Sequence, residues 1–128
     1  MKTIAILCLL LISLCTDFGE AAVAFQRVKN GERVEISIFK NAKAIERSVA
    51  TGKQIFYLKG RGKGLLIDEK GFIIVSSNYE IKDGAMVIKQ FSKDDVGSYS
   101  ELPPKIIKIP DGDGYYYLAP PVLNITLA

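Results

Sequence analysis

The sequence predicts an all-β domain whose short strands pack as a sandwich or a barrel. In residues 33–39, Val34, Ile36 and Ile38 alternate with polar residues, the period-two pattern of a strand with one buried face. Glycine-bearing connections separate the apolar runs at intervals of roughly 8–12 residues, which favours many short strands. Residues 41–51 show no convincing helical stripe, and we predict a long loop there.

The remaining strands are predicted from apolar runs bounded by turn residues. Asn30-Gly31 is a strong hairpin signal, because both residues tolerate the positive φ of a tight turn. Proline pairs at 103–104 and 120–121 lack amide donors and predict a hairpin set off from the main sheet, with strands 105–109 and 115–119. The predicted strands before this hairpin are 22–28, 33–39, 54–59, 65–68, 72–76 and 85–91.

Composition excludes several function classes. The chain has 128 residues, of which 48% are apolar and 24% charged, with a net charge of +3 and no histidine. One domain is the expectation at this length. Without histidine there is no Ser-His-Asp or Cys-His catalysis and no histidine-ligated metal. We expect no enzyme, no cofactor and no metal, and the modest charge gives little support for nucleic-acid binding.

The amino terminus has the pattern of a signal peptide. Residues 4–14 form an apolar run after a lysine, too short for a membrane span but typical of a signal-peptide core. Cleavage after Cys15 or Ala21 fits the small residues there, so we predict a signal peptide over 1–21 and one secreted, extracellular domain over 22–128. No other apolar stretch is long enough to span a membrane.

The two cysteines, Cys8 and Cys15, both lie in the predicted signal peptide. The mature domain is therefore expected to fold without a disulfide, although small secreted domains commonly use them. At this length a hydrophobic core is feasible without that crosslink.

Two segments carry a resemblance to a known family. Met86-Val87-Ile88, Phe91 and Asp95-Val96-Gly97-Ser98-Tyr99-Ser100 resemble the E-to-F corner of immunoglobulin-superfamily domains, and residues 28–38 resemble their A′-to-B segment. The resemblance covers nearly all of the mature chain. It implies an immunoglobulin-like β-sandwich of two antiparallel sheets with a protruding F–G hairpin. It also implies that the Tyr99 hydroxyl bonds to backbone just upstream.

The sequence departs from that family at the core. Ile38 and Glu101 stand where the family's two cysteines would be, and Tyr57 replaces its strand-C tryptophan. Ile38 and Tyr57 are expected to fill the core. A glutamate facing a core is costly, so Glu101 either lies at the rim beside a lysine or a bulge before Pro103 turns Leu102 inward.

The resemblance also implies a function. Small secreted one-domain immunoglobulin proteins of invertebrates, including nematodes, tend to act in cell-surface recognition and tissue organisation. The expected partner is therefore an extracellular or cell-surface protein. The alternative is a matrix component that binds polyanions such as sulfated glycans through Lys53, Lys59, Arg61 and Lys63.

The predicted binding site is the hairpin of residues 105–119. A two-stranded ribbon cannot bury both of its faces against one sandwich, so Ile107, Tyr115, Tyr116 and Tyr117 are candidates for binding a partner. Self-association as a homodimer or packing against the sandwich end are the alternatives. Separately, Asn124-Ile125-Thr126 is a glycosylation sequon on a strand whose alternation points Asn124 toward solvent.

Overall fold

A computed structural model describes residues 23–104, 107–118 and 120–128. These residues form an all-β fold, as the sequence predicts. The predicted signal peptide, including both cleavage sites, lies outside the described residues and stays a prediction. The strands are β1 (Val23–Val28), β2 (Val34–Ile36), β3 (Ala44–Val49), β4 (Gly52–Tyr57), β5 (Leu66–Asp68), β6 (Ile73–Ile74), β7 (Tyr79–Lys82), β8 (Ala85–Ile88), β9 (Gly97–Leu102), β10 (Ile107–Asp111), β11 (Gly114–Leu118) and β12 (Val122–Leu127), with a short 3-10 helix, η1 (Lys93–Asp95), before β9.

The strands form a large sheet, a small sheet and a separate hairpin. The large sheet has the order β1-β12-β9-β3-β4-β5-β6, and the small sheet has the order β2-β8-β7. Among the described strands, β10 and β11 pair with each other and with no other strand. The pairing of β1 with β12 is parallel, and the other described pairings are antiparallel.

The core lies between the large and the small sheet, which gives a sandwich-like arrangement. Side chains from both sheets join one apolar cluster, because alternate residues of each strand point to the same face. On β12, for example, Leu123 and Ile125 are buried and Asn124 between them is half-buried. The central strand of the small sheet, β8, is buried along its whole length.

The strand predicted over 33–39 is shorter than expected. It ends at Ile36, and a turn follows in which the Lys40 amide donates to the Ser37 carbonyl at 3.1 Å. Asn41 has a φ of 67°, and its amide bonds to the Gly84 carbonyl. The turn breaks the alternation, so Ile38 is 51% exposed and Phe39 enters the core instead. The prediction that Ile38 fills the core is wrong.

The loop predicted over 41–51 is wrong as well. Six of these residues form β3, which pairs with both β4 and β9 and lies inside the large sheet. Its inward side chains are Ile45, Arg47 and Val49, and the central arginine hides the apolar alternation from the sequence. Strand β7 was not predicted either.

Tyr57 and Glu101 also differ from expectation. Tyr57 is half-buried on the outer side of β4, while its neighbour Phe56 fills the core. The pairing of β9 with β3 is regular through Leu102, so the bulge considered before Pro103 is not present. Glu101 is buried at the position that pairs with Ile45.

A buried polar network joins the two sheets. Arg47 on β3 donates to the Asp95 carboxylate at 2.8 Å, to the Tyr99 hydroxyl at 3.1 Å and to the Tyr79 hydroxyl at 3.0 Å. Tyr79 belongs to the small sheet and donates its own hydroxyl proton to Asp95. The Arg47 Nε donates to Gln54 on β4 at 2.8 Å.

The Tyr99 hydroxyl donates to the Asp95 backbone carbonyl at 2.6 Å. This is the upstream bond that the resemblance implies, and it is confirmed. Asp95 also accepts from the Ser92 amide, and the Ser92 hydroxyl accepts from the Asp94 amide, so a capping box holds η1 in place.

Burial raises the pKa of Tyr99 above its usual range, against the opposing effect of Arg47. Burial, helped by the hydrogen bond to Asp95, also raises the pKa of Tyr79. Both phenols are therefore protonated at neutral pH and donate as described above.

Breaking the network from one side should be strongly destabilising. Arg47→Met leaves the Asp95 carboxylate buried without its cation, and we expect a loss of about 3–5 kcal/mol in the free energy of unfolding, measured by urea denaturation. The matched control is Arg33→Met, which removes half-exposed ion pairs to Glu35 and Glu80 and should cost at most ~1 kcal/mol. Equal losses in the two variants would contradict this role for Arg47.

Stability should also fall at alkaline pH. Tyrosines of the unfolded chain ionise near their usual pKa of about 10, whereas Tyr79 and Tyr99 ionise higher in the folded state. The free energy of unfolding is therefore fully retained below about pH 10 and declines as pH rises beyond it. Tyr99→Phe should show a shallower decline than the wild type in urea titrations, because it removes one of the two buried phenols whose pKa is raised by folding. An unchanged slope in Tyr99→Phe argues against this linkage.

Candidate functional site

The predicted hairpin is present and separate from the main sheets. Its register pairs Ile109 with Tyr116 and Pro110 with Tyr115. Tyr115 is 59% exposed, and the Lys108 ammonium lies 3.9 Å from the centre of its ring, within cation–π range. For Ile107, Tyr116 and Tyr117 the backbone pairing is described, and their side chains lie outside the description.

The four predicted polyanion-binding residues do not form one group. Lys53 lies near the start of β4 and Lys59 follows its end, so the two are about 20 Å apart along the extended chain. Arg61 and Lys63 lie on the loop after Lys59, and all four side chains are exposed. The structure therefore keeps Lys59, Arg61 and Lys63 together and separates Lys53 from them.

A basic pocket forms around Tyr57 at the end of β4. It is a cavity of about 480 Å³ lined by Lys43, Tyr57, Lys59, Arg61 and the two glycines at 60 and 62. Lys43 joins because its carbonyl accepts the amides of Leu58, at 2.9 Å, and Lys59, at 3.2 Å. Lys43 was not predicted as a binding residue, because it lies in the segment 41–51 that was predicted to be a loop.

The loop 59–64 folds closely over the Tyr57 ring. The Gly64 amide donates to the Tyr57 carbonyl at 2.8 Å, and the Tyr57 amide donates to the Leu65 carbonyl at 3.1 Å. A Cβ at Gly62 would lie 3.2 Å from the Tyr57 ring, tighter than usual, so glycine suits this close approach. The pocket is therefore held by backbone hydrogen bonds.

An apolar edge forms where the large sheet ends at β6. Phe72 is 68% exposed, Ile73 is 54% exposed and Val75 is 95% exposed. Strand β6 pairs with β5 on one side, and no described strand pairs with its other side. We refer to Phe72, Ile73 and Val75 as the apolar edge. The sequence contains a signal for this exposed edge, the run of four apolar residues that starts at Phe72. Successive side chains of a strand point to opposite faces, so a strand with one buried face leaves some of these four exposed.

Asn124 lies on the face of β12 opposite the buried Leu123 and Ile125. Its side-chain oxygen accepts a hydrogen bond from the Ser98 hydroxyl at 2.6 Å. Asn124 is half-buried in the interior of the sheet, between β1 and β9. Its orientation fits the prediction, although the neighbouring strands restrict access to it.

No family model matches this chain, and no curated protein matches it. Across residues 23–104, 107–118 and 120–128, no helix has the length and apolar character needed to cross a membrane.

Glycosylation of Asn124 is a direct test of secretion and orientation. In a eukaryotic secretory host we expect the intact mass of the secreted chain to fall after glycosidase treatment. Thr126→Ala destroys the sequon but leaves the Ser98–Asn124 hydrogen bond intact, so it is the matched control and should be insensitive to the glycosidase. A wild-type mass that the glycosidase leaves unchanged contradicts the prediction.

Proposed function

We propose that this chain is a small secreted protein of the immunoglobulin superfamily type that binds an extracellular or cell-surface protein and has no enzymatic activity. Three levels of observation support the proposal: the strand order, the corner around Tyr99 and the apolar edge. Secretion and the signal peptide belong to this proposal and are inferred from the sequence pattern alone.

Strand order supports the immunoglobulin-like assignment. The small sheet order β2-β8-β7 corresponds to strands B, E and D of such a sandwich, and β9 and β12 correspond to F and G of the other sheet. Additional strands beyond β3 extend that sheet, as in variable-type domains. The separate hairpin β10–β11 then lies between F and G. The bond from the Tyr99 hydroxyl to Asp95 matches the tyrosine corner of these domains.

The apolar edge is the observation that carries the binding function. An open sheet edge offers unpaired backbone groups, and an extended segment of another protein can add to it as a further strand. The exposed Phe72, Ile73 and Val75 side chains supply apolar contacts along that edge. The partner expected from this chemistry is a protein with an apolar segment in extended conformation.

The hairpin supplies a second candidate surface for the same function. Tyr115 offers a large contact area with a polar tip, and its contact with Lys108 orders both side chains. The assignment of Ile107, Tyr116 and Tyr117 to partner binding remains a prediction, as does self-association through this hairpin.

Binding to intact cells tests the proposal and separates the two surfaces. The labelled mature chain is compared with Phe72→Ser/Val75→Ser, with Ile107→Ser/Tyr116→Ser, and with Ile38→Ser, a matched control at an exposed isoleucine of another region. We expect the edge variant to lose most cell binding at an unchanged melting temperature, because the affected side chains are exposed. Ile38→Ser should bind as the wild type does.

The other outcomes are equally informative. Loss in the hairpin variant alone keeps the protein-binding function and moves its site to β10–β11. Binding that survives protease treatment of the cells and disappears after heparinase argues against a protein partner.

The second candidate function, polyanion binding, has its own support. Residues 40–67 hold seven lysines and arginines and one acidic residue, Glu46. Of these cations, Arg47 is buried with Asp95 and the others are exposed. This part of the chain therefore carries six exposed cations on a domain of modest net charge, and three of them, Lys43, Lys59 and Arg61, line the basic pocket.

A further inference from the structure

We propose that the basic pocket of Lys43, Tyr57, Lys59 and Arg61 binds one sulfated sugar unit of a glycosaminoglycan-type chain. The proposal rests on the second candidate function, polyanion binding, and assigns it a site. The site differs from the sequence-based cluster, since it includes Lys43 and Tyr57 and leaves out Lys53 and Lys63.

The shape of the pocket suits a sugar ring. Its volume of about 480 Å³ lies within the range of small-molecule sites, roughly 300–1,000 Å³. The half-buried Tyr57 ring forms an apolar floor, on which the C–H face of a pyranose can pack. Gly62 lies against the Cβ end of the ring, and neither Gly60 nor Gly62 adds a side chain that would fill the remaining space of the pocket.

The charges around the pocket select an anion. Three exposed cations line it, and none of the described residues that line it is acidic. Arg61 can donate two parallel hydrogen bonds to one sulfate group, and the two lysines supply further charge. An acidic residue of β3, Glu46, points to the same face of the large sheet as Tyr57. It lies two residues along β3 from Ala44, the residue that pairs with Tyr57, which is a distance of about 7 Å.

The pocket is largely preformed. The Lys63 amide donates to the Gly60 carbonyl at 3.2 Å, and the Leu65 amide donates to the Gly62 carbonyl at 2.9 Å, so two successive turns fix the loop. Gly60 and Gly64 have φ values of 83° and 84°, which glycine adopts without steric cost. A preformed loop loses little conformational freedom on binding, which favours affinity.

Calorimetric titration of the mature chain with a sulfated heparin hexasaccharide tests the site. The triple variant Lys43→Gln/Lys59→Gln/Arg61→Gln should lose at least about tenfold in affinity and show a weaker dependence on salt. The matched control, Lys53→Gln/Lys70→Gln/Lys93→Gln, removes the same charge at exposed positions outside the pocket. It should lose no more than about threefold.

The aromatic floor is tested separately. Tyr57→Phe should retain the affinity and Tyr57→Leu should lose it, with melting temperatures recorded for both. The desulfated hexasaccharide should bind far more weakly to the wild type. Retained affinity in Tyr57→Leu, or binding of the desulfated sugar, would overturn the proposed contacts.

The remaining outcomes separate the site from the function on which it rests. Equal losses in the two triple variants overturn the pocket and leave a diffuse polyanion-binding function. No binding by the wild type overturns both. The wild type can also be tested with phosphatidylserine vesicles. If it binds them as tightly as the hexasaccharide or more tightly, and the pocket variant does not bind them, the pocket is assigned to a lipid headgroup and the sugar assignment is overturned.

Discussion

The ion pair between Arg47 and Asp95 is the interaction on which the rest of this fold depends. The two cysteines of the sequence are at positions 8 and 15, so a disulfide cannot join the sheets within residues 23–128. Arg47 instead reaches from the large sheet to Tyr79 of the small one and to Asp95 at the end of η1. A buried charge that loses its partner is far more costly than an exposed one, so this pair discriminates strongly against other packings of the two sheets.

The same pair fixes the start of β9. Asp95 accepts from Arg47 through its carboxylate and from Tyr99 through its backbone carbonyl, so the turn into β9 has one geometry. At Gly97 a Cβ would lie 1.9 Å from the Ser48 carbonyl oxygen, so a side chain there would force β3 and β9 apart. The glycine is therefore needed for space. Glycine and ion pair together set the register between β3 and β9, and with it the large sheet.

The parts of the fold that follow simple alternation could be predicted from the sequence. Residues 123–127 alternate strictly, and the proline pairs isolate the hairpin, so β12 and β10–β11 were identified. Strand β3 was missed because Arg47 occupies an inward position, which reads as polar although the network makes it part of the core. The pocket was missed for a related reason. Lys43 and Tyr57 are brought to the same place only by the β3–β4 pairing, which has no local signal.

The basic pocket and the apolar edge lie close together on the large sheet. A groove joins the end of loop 59–64 to the apolar edge. It is lined by Gly64 and Leu65 and by Ile73 and Val75. Strand β6 has only two residues and offers few backbone groups to an added strand, so the exposed side chains of the apolar edge must supply most of the contact there. A molecule that offered both an extended apolar segment and an anionic sugar would contact the apolar edge and the basic pocket at the same time.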